Sequence, residues 1–579
     1  MPRQIPFIIG SEGCERFSFY GMRNILTPFL MTSLLMHLPD EVARKSMTNE
    51  VFHTFVMGVY FFPLLGGWLA DRFFGKFNTI LWFSLIYCLG HAFLAMFDDN
   101  VNGFFAGLFL ISLGAGGIKP LVASFVGDQF DERNKHLAKL VFDAFYWIIN
   151  FGSFFASLLM PVFLDQLGPK VAFGIPGALM FVATAVLWIG KRLYVMVPVA
   201  PKNPNSFMRV VMTALSARDK DGKRGPGYIL AVAGAIAMLY TLVSLAGFLL
   251  GSALKLAPGS IGPDIIQFAK TMPVVEQLDI VPAVCLGLVI MLALGGIGTS
   301  MQLERARGKH PDDAIEGVRA VLRVLIVFAL VTPFHSLFDQ KATTWVHQGG
   351  EMHVPGWDIN LGFLGTWETN FKPAQMQAFN PLLVMILIPF NNLVLYPWLR
   401  RRGWEPTSLR RMTLGIAFAG FAWIAAGALQ LVLDGGDKIT ILWQVLPYAL
   451  LTLGEVLVSA TGLEFAYSQA PLAMKGVIMS FWNLTTTVGN LWVLLVNAGV
   501  RNKSVLSSIE ETGISSTAFL MFFFAGFAFL ATLAFKLYTR RYKMQDNYRT
   551  RDPKVAQDKG AGDAALPEAR IVRDDTTKE

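Results

Sequence analysis

Charge is scarce in this sequence: only 16% of its 579 residues are Asp, Glu, Lys or Arg, whereas a soluble globular chain carries about 25%. Cysteine is scarcer still. Cys14, Cys88 and Cys285 are the only three, far apart and each inside an apolar run, so they offer neither metal-ligand spacing nor a disulfide framework and read as small buried residues. No nucleophile–base motif falls inside an apolar run and no glycine loop is built to cradle phosphate, which argues against an enzyme. The first apolar stretch is interrupted by charges and lacks the clean core of a cleavable signal peptide. The net charge is +8, yet Lys and Arg collect in particular loops, so it reports topology rather than nucleic-acid binding.

What is present is apolar length. The chain is 54% hydrophobic, with 53 Gly and 48 Phe, as suits helices that pack closely and face lipid. Successive apolar runs give about fourteen spans by the rule of ~20 residues per crossing, so the expected class is an all-α polytopic membrane protein whose partner is the lipid bilayer. The spans fall into six, two and six. The expected domains are an N-terminal six-helix bundle over 1–190, a basic linker over 191–226 and two extra transmembrane helices over 227–298. A second linker over 299–319, a C-terminal six-helix bundle over 320–540 and a disordered tail over 541–579 complete the chain. Arg72 and Lys76, the stretch 133–139, the 191–226 linker, Arg400 to Arg402 with Arg410 and Arg411, and Lys475 occupy alternate connections. Positive-inside bias puts those loops and both termini in the cytoplasm. Internal symmetry is weak but present: Asp71-Arg72…Gly75-Lys76 corresponds in place to Arg400-Arg401-Arg402-Gly403.

Ionisable groups inside spans are functional candidates, because charge at bilayer depth must be paired or line a wet cavity. In the first run, helical steps set Glu12, Arg16, Phe19 and Arg23 on one stripe flanked by Glu15 and Tyr20. A buried i,i+4 pair would account for Glu12 and Arg16, but not for Glu15 and Arg23 as well. Elsewhere the first half adds His53, Lys119 and Asn150, and the second adds His335, Asp339, Lys341, Asn380, Glu455 and Glu464. Outside the first-helix cluster, cations (Arg23, Lys119) face carboxylates (Asp339, Glu455) across the halves, a dipolar slot suited to a short peptide zwitterion. Lys119 with Glu455 could close one side of such a slot and Asp339 with Arg23 the other, each pair opened by substrate or a proton. Asp339 and Lys341 sit near a span end and could equally be ordinary interface charges. His53 could carry a coupling proton or be a satisfied structural histidine. Tyr20, Tyr60 and Tyr146 could line a pocket or simply pack.

Five motifs then occur in order: Glu12-x-x-Glu15-Arg16-Phe-x-Phe-Tyr20-Gly, Gly117-Ile-Lys119-Pro120, Gly127-Asp128-Gln129-Phe130, Phe338-Asp339-Gln340, and Phe465-x-Tyr467-x-Gln469-Ala470-Pro471-x-x-Met474-Lys475-Gly476. On these motifs the chain resembles the proton-coupled oligopeptide transporters of the major facilitator superfamily, and the two extra helices resemble those of bacterial members. The resemblance implies a major facilitator fold and proton-driven import of di- and tripeptides by alternating access, with no cofactor. It implies proton coupling by Glu12, Glu15 and Arg16, with His53 matching a coupling histidine of animal members. Arg23 and Lys119 would hold the peptide carboxylate, and Glu455, Asn150 and Asn380 its amino terminus. Tyr20, Tyr60, Tyr146, Ser459 and Trp482 would line the pocket. One departure stands out: His335 occupies a place where the family usually has Trp, which would loosen a side-chain pocket and add a titratable ring.

The expected protein is therefore a symporter of the bacterial inner membrane, a monomer sufficing for transport. Its rivals are a same-fold carrier of another solute such as nitrate, and a membrane receptor that senses peptides without moving them.

Overall fold

The computed structural model describes residues 2–130, 137–197, 199, 204–218, 222–254, 262–360, 366–469, 474–500 and 503–542. The expected tail beyond residue 542, the basic residues 133–136, parts of the 191–226 linker, and Ala470 and Pro471 of the last motif lie outside the described residues.

The first half runs α1 (Ile5–Phe29), α2 (Glu41–Phe61), α3 (Pro63–Leu69), α4 (Gly75–Met96), α5 (Val101–Asp128) and α6 (Ala138–Ile189). Side chains start these helices: Asp40 accepts from the amides of Val42 and Ala43 to cap α2, and Asn100 accepts from Gly103 N to cap α5. The long α6 is two legs folded at Gly168, whose φ of 78° is open to glycine at little cost. Between the halves come α7 (Phe207–Ser216), α8 (Pro226–Leu254), α9 (Gly262–Lys270), α10 (Pro273–Leu278) and α11 (Ile280–Gln302). The second half holds α12 (Asp312–Asp339), α13 (Thr344–Glu351), α14 (Phe379–Phe390), α15 (Tyr396–Arg401), α16 (Ser408–Asp434), α17 (Val445–Glu455), α18 (Thr461–Gln469), α19 (Lys475–Val500), α20 (Lys503–Glu510) and α21 (Ser516–Thr539). The Trp/Gly-rich loop before α14 adds one non-helical feature, an antiparallel hairpin of β1 (Gly356–Asn360) and β2 (Thr366–Asn370).

Among the described residues, nine helical stretches are long and apolar enough to cross a membrane, and two of them, Glu41–Met96 and Ala144–Leu193, each fold back on themselves. The rods α1, α12 and α19 are not among these nine. Large apolar side chains on the outer faces, such as Trp82 at 61% and Leu393 at 76% exposure, need lipid as their solvent.

Two buried cores correspond to the two halves, one drawn from residues between Ile5 and Tyr194 together with Ala342 of the second half, the other mainly from Leu303 to Phe535. The linker is not wholly loop: α7 docks Val210 and Ala214 into the second core. The extra pair also reaches both halves, since Cys285 of α11 packs with Met57 of α2 and with Leu491 and Leu494 of α19. The internal symmetry extends to backbone: Gly75 (φ 73°) and Gly403 (φ 78°) both make left-handed turns at their corresponding connections. Lys76 there reaches Asp128 at 2.6 Å, tying α4 to the end of α5. Gln129 of the same motif accepts from Val195 N at 2.9 Å and donates to Val195 O.

Gly116 and Gly117 let α5 approach its neighbours: a Cβ at Gly116 would run into Phe62, and one at Gly117 into the ring of Phe83. Gly117→Val should therefore destabilise the protein by about 1–3 kcal/mol through overpacking, read as earlier thermal unfolding in detergent. An unchanged melting curve would mean that the α4–α5 contact is looser than described.

Candidate functional site

Bonds between the two halves gather at one end of the molecule, the end bearing the turns at 36–40 and 97–100. There Arg23 Nη2 meets Asp339 Oδ1 at 2.6 Å, with both side chains buried. Thr27 Oγ1 donates to Ala342 O at 2.7 Å, Gln375 Nε2 to Leu158 O at 2.7 Å, and Thr487 Oγ1 to Met57 O at 3.3 Å. Lys45 pairs with Glu351 at 3.0 Å and Lys372 with Asp165 at 2.8 Å. This end is sealed.

At the heart of the seal, Asn490 Nδ2 donates to Asp339 Oδ2 at 2.8 Å. Its Oδ1 is then the acceptor at 2.7 Å from His53 Nδ1, so His53 carries its proton on Nδ1. Nε2 is left to accept from Thr343 Oγ1 at 3.2 Å. A second proton would make Nε2 a donor to the same hydroxyl. His53 is thus wired through one amide to the Arg23–Asp339 pair.

On α1, Arg16 Nε donates to Glu12 Oε1 at 2.6 Å and lies 2.9 Å from Glu15 Oε2. One guanidinium serves two carboxylates, leaving a net negative charge. Glu12 Oε2 and Glu15 Oε1 are buried with no hydrogen-bond partner among the described residues, an arrangement that offers a place for a proton. Lys119 sits nearby with its Nζ 3.6 Å from the centre of the Phe19 ring and 4.7 Å from that of Tyr60. Ring faces stabilise a cation that has no direct counterion.

The expected pair of Lys119 with Glu455 is not formed in this structure. Glu455 Oε2 instead accepts from Asn380 Nδ2 at 2.5 Å, and Asn380 Oδ1 accepts from Lys341 Nζ at 2.8 Å. The cation beside Glu455 is therefore Lys341, buried against Phe338 with its Nζ 3.4 Å from the ring centre and separated from the carboxylate by one amide. Thr452 Oγ1 also accepts from Asn380. Ser459 lies one turn beyond Glu455, on a π-helical turn over Val456–Ala460, and is partly exposed. Similar π-helical turns cover Leu30–Leu34, Ala70–Phe74 and Asn391–Leu395.

Tyr20 and Tyr146 lie within electrostatic reach of Glu455, so the first half faces the second here. Tyr146 is nonetheless 43% exposed. The crevice is open. Asn150 is buried one turn along from Tyr146 and donates to its carbonyl at 3.0 Å. His335 and Trp482 form a wall, ring centres 6.0 Å apart and 74° between planes, with Thr486 Oγ1 at 3.5 Å from His335 Nδ1. His335 Nε2 is buried and has no hydrogen-bond partner among the described residues.

Lys341 and Asn490 are the residues that sequence reasoning undervalued. Lys341 stood at a span end, where interface charges are common. Asn490 belongs to a polar stripe on α19 with Thr486 and Thr487, a signal that attention to ionisable groups alone passes over.

A multi-pass helical membrane protein with a charged crevice between two bundles, sealed at one end and open to the other, has the architecture of a transporter fold. The family model of the POT family matches residues 77–510, and the chain belongs to that family. Solute carrier family 15 member 2 of Oryctolagus cuniculus is 28% identical over 447 residues, 75% of this chain and 49% of the relative. Peptide transporter family 1 of Drosophila melanogaster is 30% identical over 450 residues, 75% of this chain and 48% of the relative. The chain spans about half the length of the curated relatives it matches. Among solved structures, one described as an auto-inhibited POT family peptide transporter is 62% identical at a TM-score of 0.85, covering 95% of this chain and 99% of that one. The POT family transporter PepTSo is 57% identical at a TM-score of 0.85, covering 95% of this chain and 100% of that one.

Proposed function

We propose that this protein is a proton-coupled symporter that imports di- and tripeptides by alternating access, holding the peptide as a zwitterion between bundles 1–190 and 320–540. The observation that carries this reading is the dipolar crevice. Cationic Arg23 and Lys119 stand on the first half, and the Glu455–Asn380 pair stands on the second, within electrostatic reach of Tyr20. A peptide carboxylate would take the cationic side and its ammonium would compete for Glu455, with Asn150 and Asn380 supplying amide oxygens. Tyr20, Tyr60, Tyr146, Ser459 and the His335–Trp482 wall would meet the side chains. Glu12, Glu15 and Arg16 would carry the coupling proton, with His53 as a second station at the seal. No cofactor is required. Basic residues at the open end support a cytoplasmic orientation for it and for both termini, with the protein in a bacterial inner membrane. A monomer holds the whole crevice.

The test is uptake of labelled dialanine into proteoliposomes with an inside-negative potential and an inward proton gradient. Concentrative uptake that a protonophore abolishes supports symport; binding without accumulation would favour a sensor, and accumulation of nitrate in its place another solute. Asn380→Leu removes the bridge and leaves Glu455 and Lys341 each short of a charged hydrogen bond worth about 1.5–3 kcal/mol. The half-saturating dialanine concentration should rise at least about tenfold. An unaltered value would take the bridge out of the binding site.

A further inference from the structure

Away from the crevice, the basic end of the second half holds two adjoining cavities of about 410 and 160 Å³. They share Asn391, Tyr396 and Arg411 and lie among α14, α15, α16 and α17. The larger is lined mainly by apolar side chains, Leu387, Phe418 and Leu453 among them. Its outer rim is formed by Phe390 and Leu414, which are 46% and 41% exposed on the lipid-facing surface. Its volume falls within the range of about 300–1,000 Å³ that small-ligand sites occupy.

Polar side chains that border this space hold buried atoms without partners among the described residues. Asn391 is 1% exposed, and among the described residues neither its Nδ2 nor its Oδ1 has a hydrogen-bond partner; Thr461 Oγ1 and Arg411 Nε are likewise buried and without one there. An unsatisfied amide at membrane depth is costly, and nothing in the transport reading uses it. Asn391 also opens the π-helical turn Asn391–Leu395, a kind of irregularity that recurs at functional positions. Beyond the mouth stand Arg400, Arg401, Arg402 and Arg410, all exposed, with Arg402 over Trp398 and Arg410 beside Trp404. Indoles and guanidinium groups at a helix end mark the level of lipid headgroups.

An apolar lining that opens on the lipid-facing surface, with Arg411 in it and further guanidinium groups beside it, matches the parts of an anionic lipid. We propose that this cavity is a binding site for one anionic glycerophospholipid. Its acyl chain lies among Leu387, Phe418 and Leu453, and the phosphate meets Arg411, Arg402 and Arg410. Glu464, which pairs with Arg411 Nη2 at 3.0 Å, tempers the positive charge there. The site is independent of the peptide crevice.

The test is native mass spectrometry of the delipidated full chain offered phosphatidylglycerol or phosphatidylcholine. Wild type should retain phosphatidylglycerol about tenfold more than phosphatidylcholine, and Arg402→Gln and Arg410→Gln should each cost about fivefold of that preference. Leu414→Trp, which plugs the rim, should remove the adduct. Phosphatidylglycerol with a photoreactive tail should crosslink wild type at Leu387, Phe418 or Leu453, so the result stands even where a variant fails to purify. Equal retention of the two lipids, crosslinks scattered over outer faces such as Leu393, or displacement by glycerol phosphate or oleate as readily as by the phospholipid would each overturn the proposal.

Discussion

Asp339→Ala should open the sealed end and lower dialanine uptake about a hundredfold. Removing one member of a buried ion pair costs about 3–5 kcal/mol, because the survivor is left charged and unpaired. Here the survivor is Arg23, whose side chain is only 7% exposed. The penalty falls on the sealed conformation alone, since in the opposite conformation the two residues separate, so a shift of about 10²–10³ in the balance between conformations follows. The measurement is the distance between spin labels at Met36→Cys and His353→Cys, both exposed at that end, with Cys14, Cys88 and Cys285 replaced. A distance distribution unchanged from the parent would remove this pair from gating. The exchange Arg23→Asp with Asp339→Arg should recover only part of the sealed population, because Asn490 Nδ2 would then point its protons at a guanidinium.

How much of this was legible beforehand depended on the kind of group. Glu12 and Arg16 meet because four residues along a helix bring them onto one stripe, which needs no tertiary information. Arg23 and Asp339 lie 316 residues apart, yet charge economy in a membrane made them candidates to pair. The same economy matched Lys119 with Glu455, and there the structure differs: that pair would close the end that is open, while Lys341 and Asn380 satisfy the carboxylate locally. Asn490 was out of reach, since an amide in a span carries no charge to flag it and its value comes entirely from what the fold sets beside it. The hairpin Gly356–Asn370 was equally hidden in a stretch rich in Gly and Trp, where neither periodicity nor length identifies short strands.

Glu15→Gln should leave peptide exchange intact while abolishing uphill accumulation, the second large effect. Arg16 already holds Glu12 at 2.6 Å, so with Glu15 neutral the cluster is charge-balanced and has lost the excess negative charge that would draw a further proton. One charge moved through 100 mV is worth about 2.3 kcal/mol, which supports accumulation of about fiftyfold per proton. In proteoliposomes the accumulation ratio should fall from that scale to unity, while counterflow of labelled against unlabelled dialanine continues at a rate near that of wild type. Loss of both would make Glu15 a structural residue, and retention of both would move coupling elsewhere, with His53 the next group to substitute.

The π-helical turn after Glu455 has a consequence for how length variation acts on this fold. Val456–Ala460 holds one residue more than α-helical pitch would allow. Deleting one residue there would restore the pitch and leave the residues beyond it on the faces they now occupy, with Glu464 still beside Arg411. The same deletion in the α-helical rod before it, which carries Thr452, would rotate everything beyond by about 100°. A single-codon gap at this turn among relatives is therefore absorbed locally, and the same holds at Asn391–Leu395. Two chains that differ in length by one residue at such a turn can still present the same faces to the crevice.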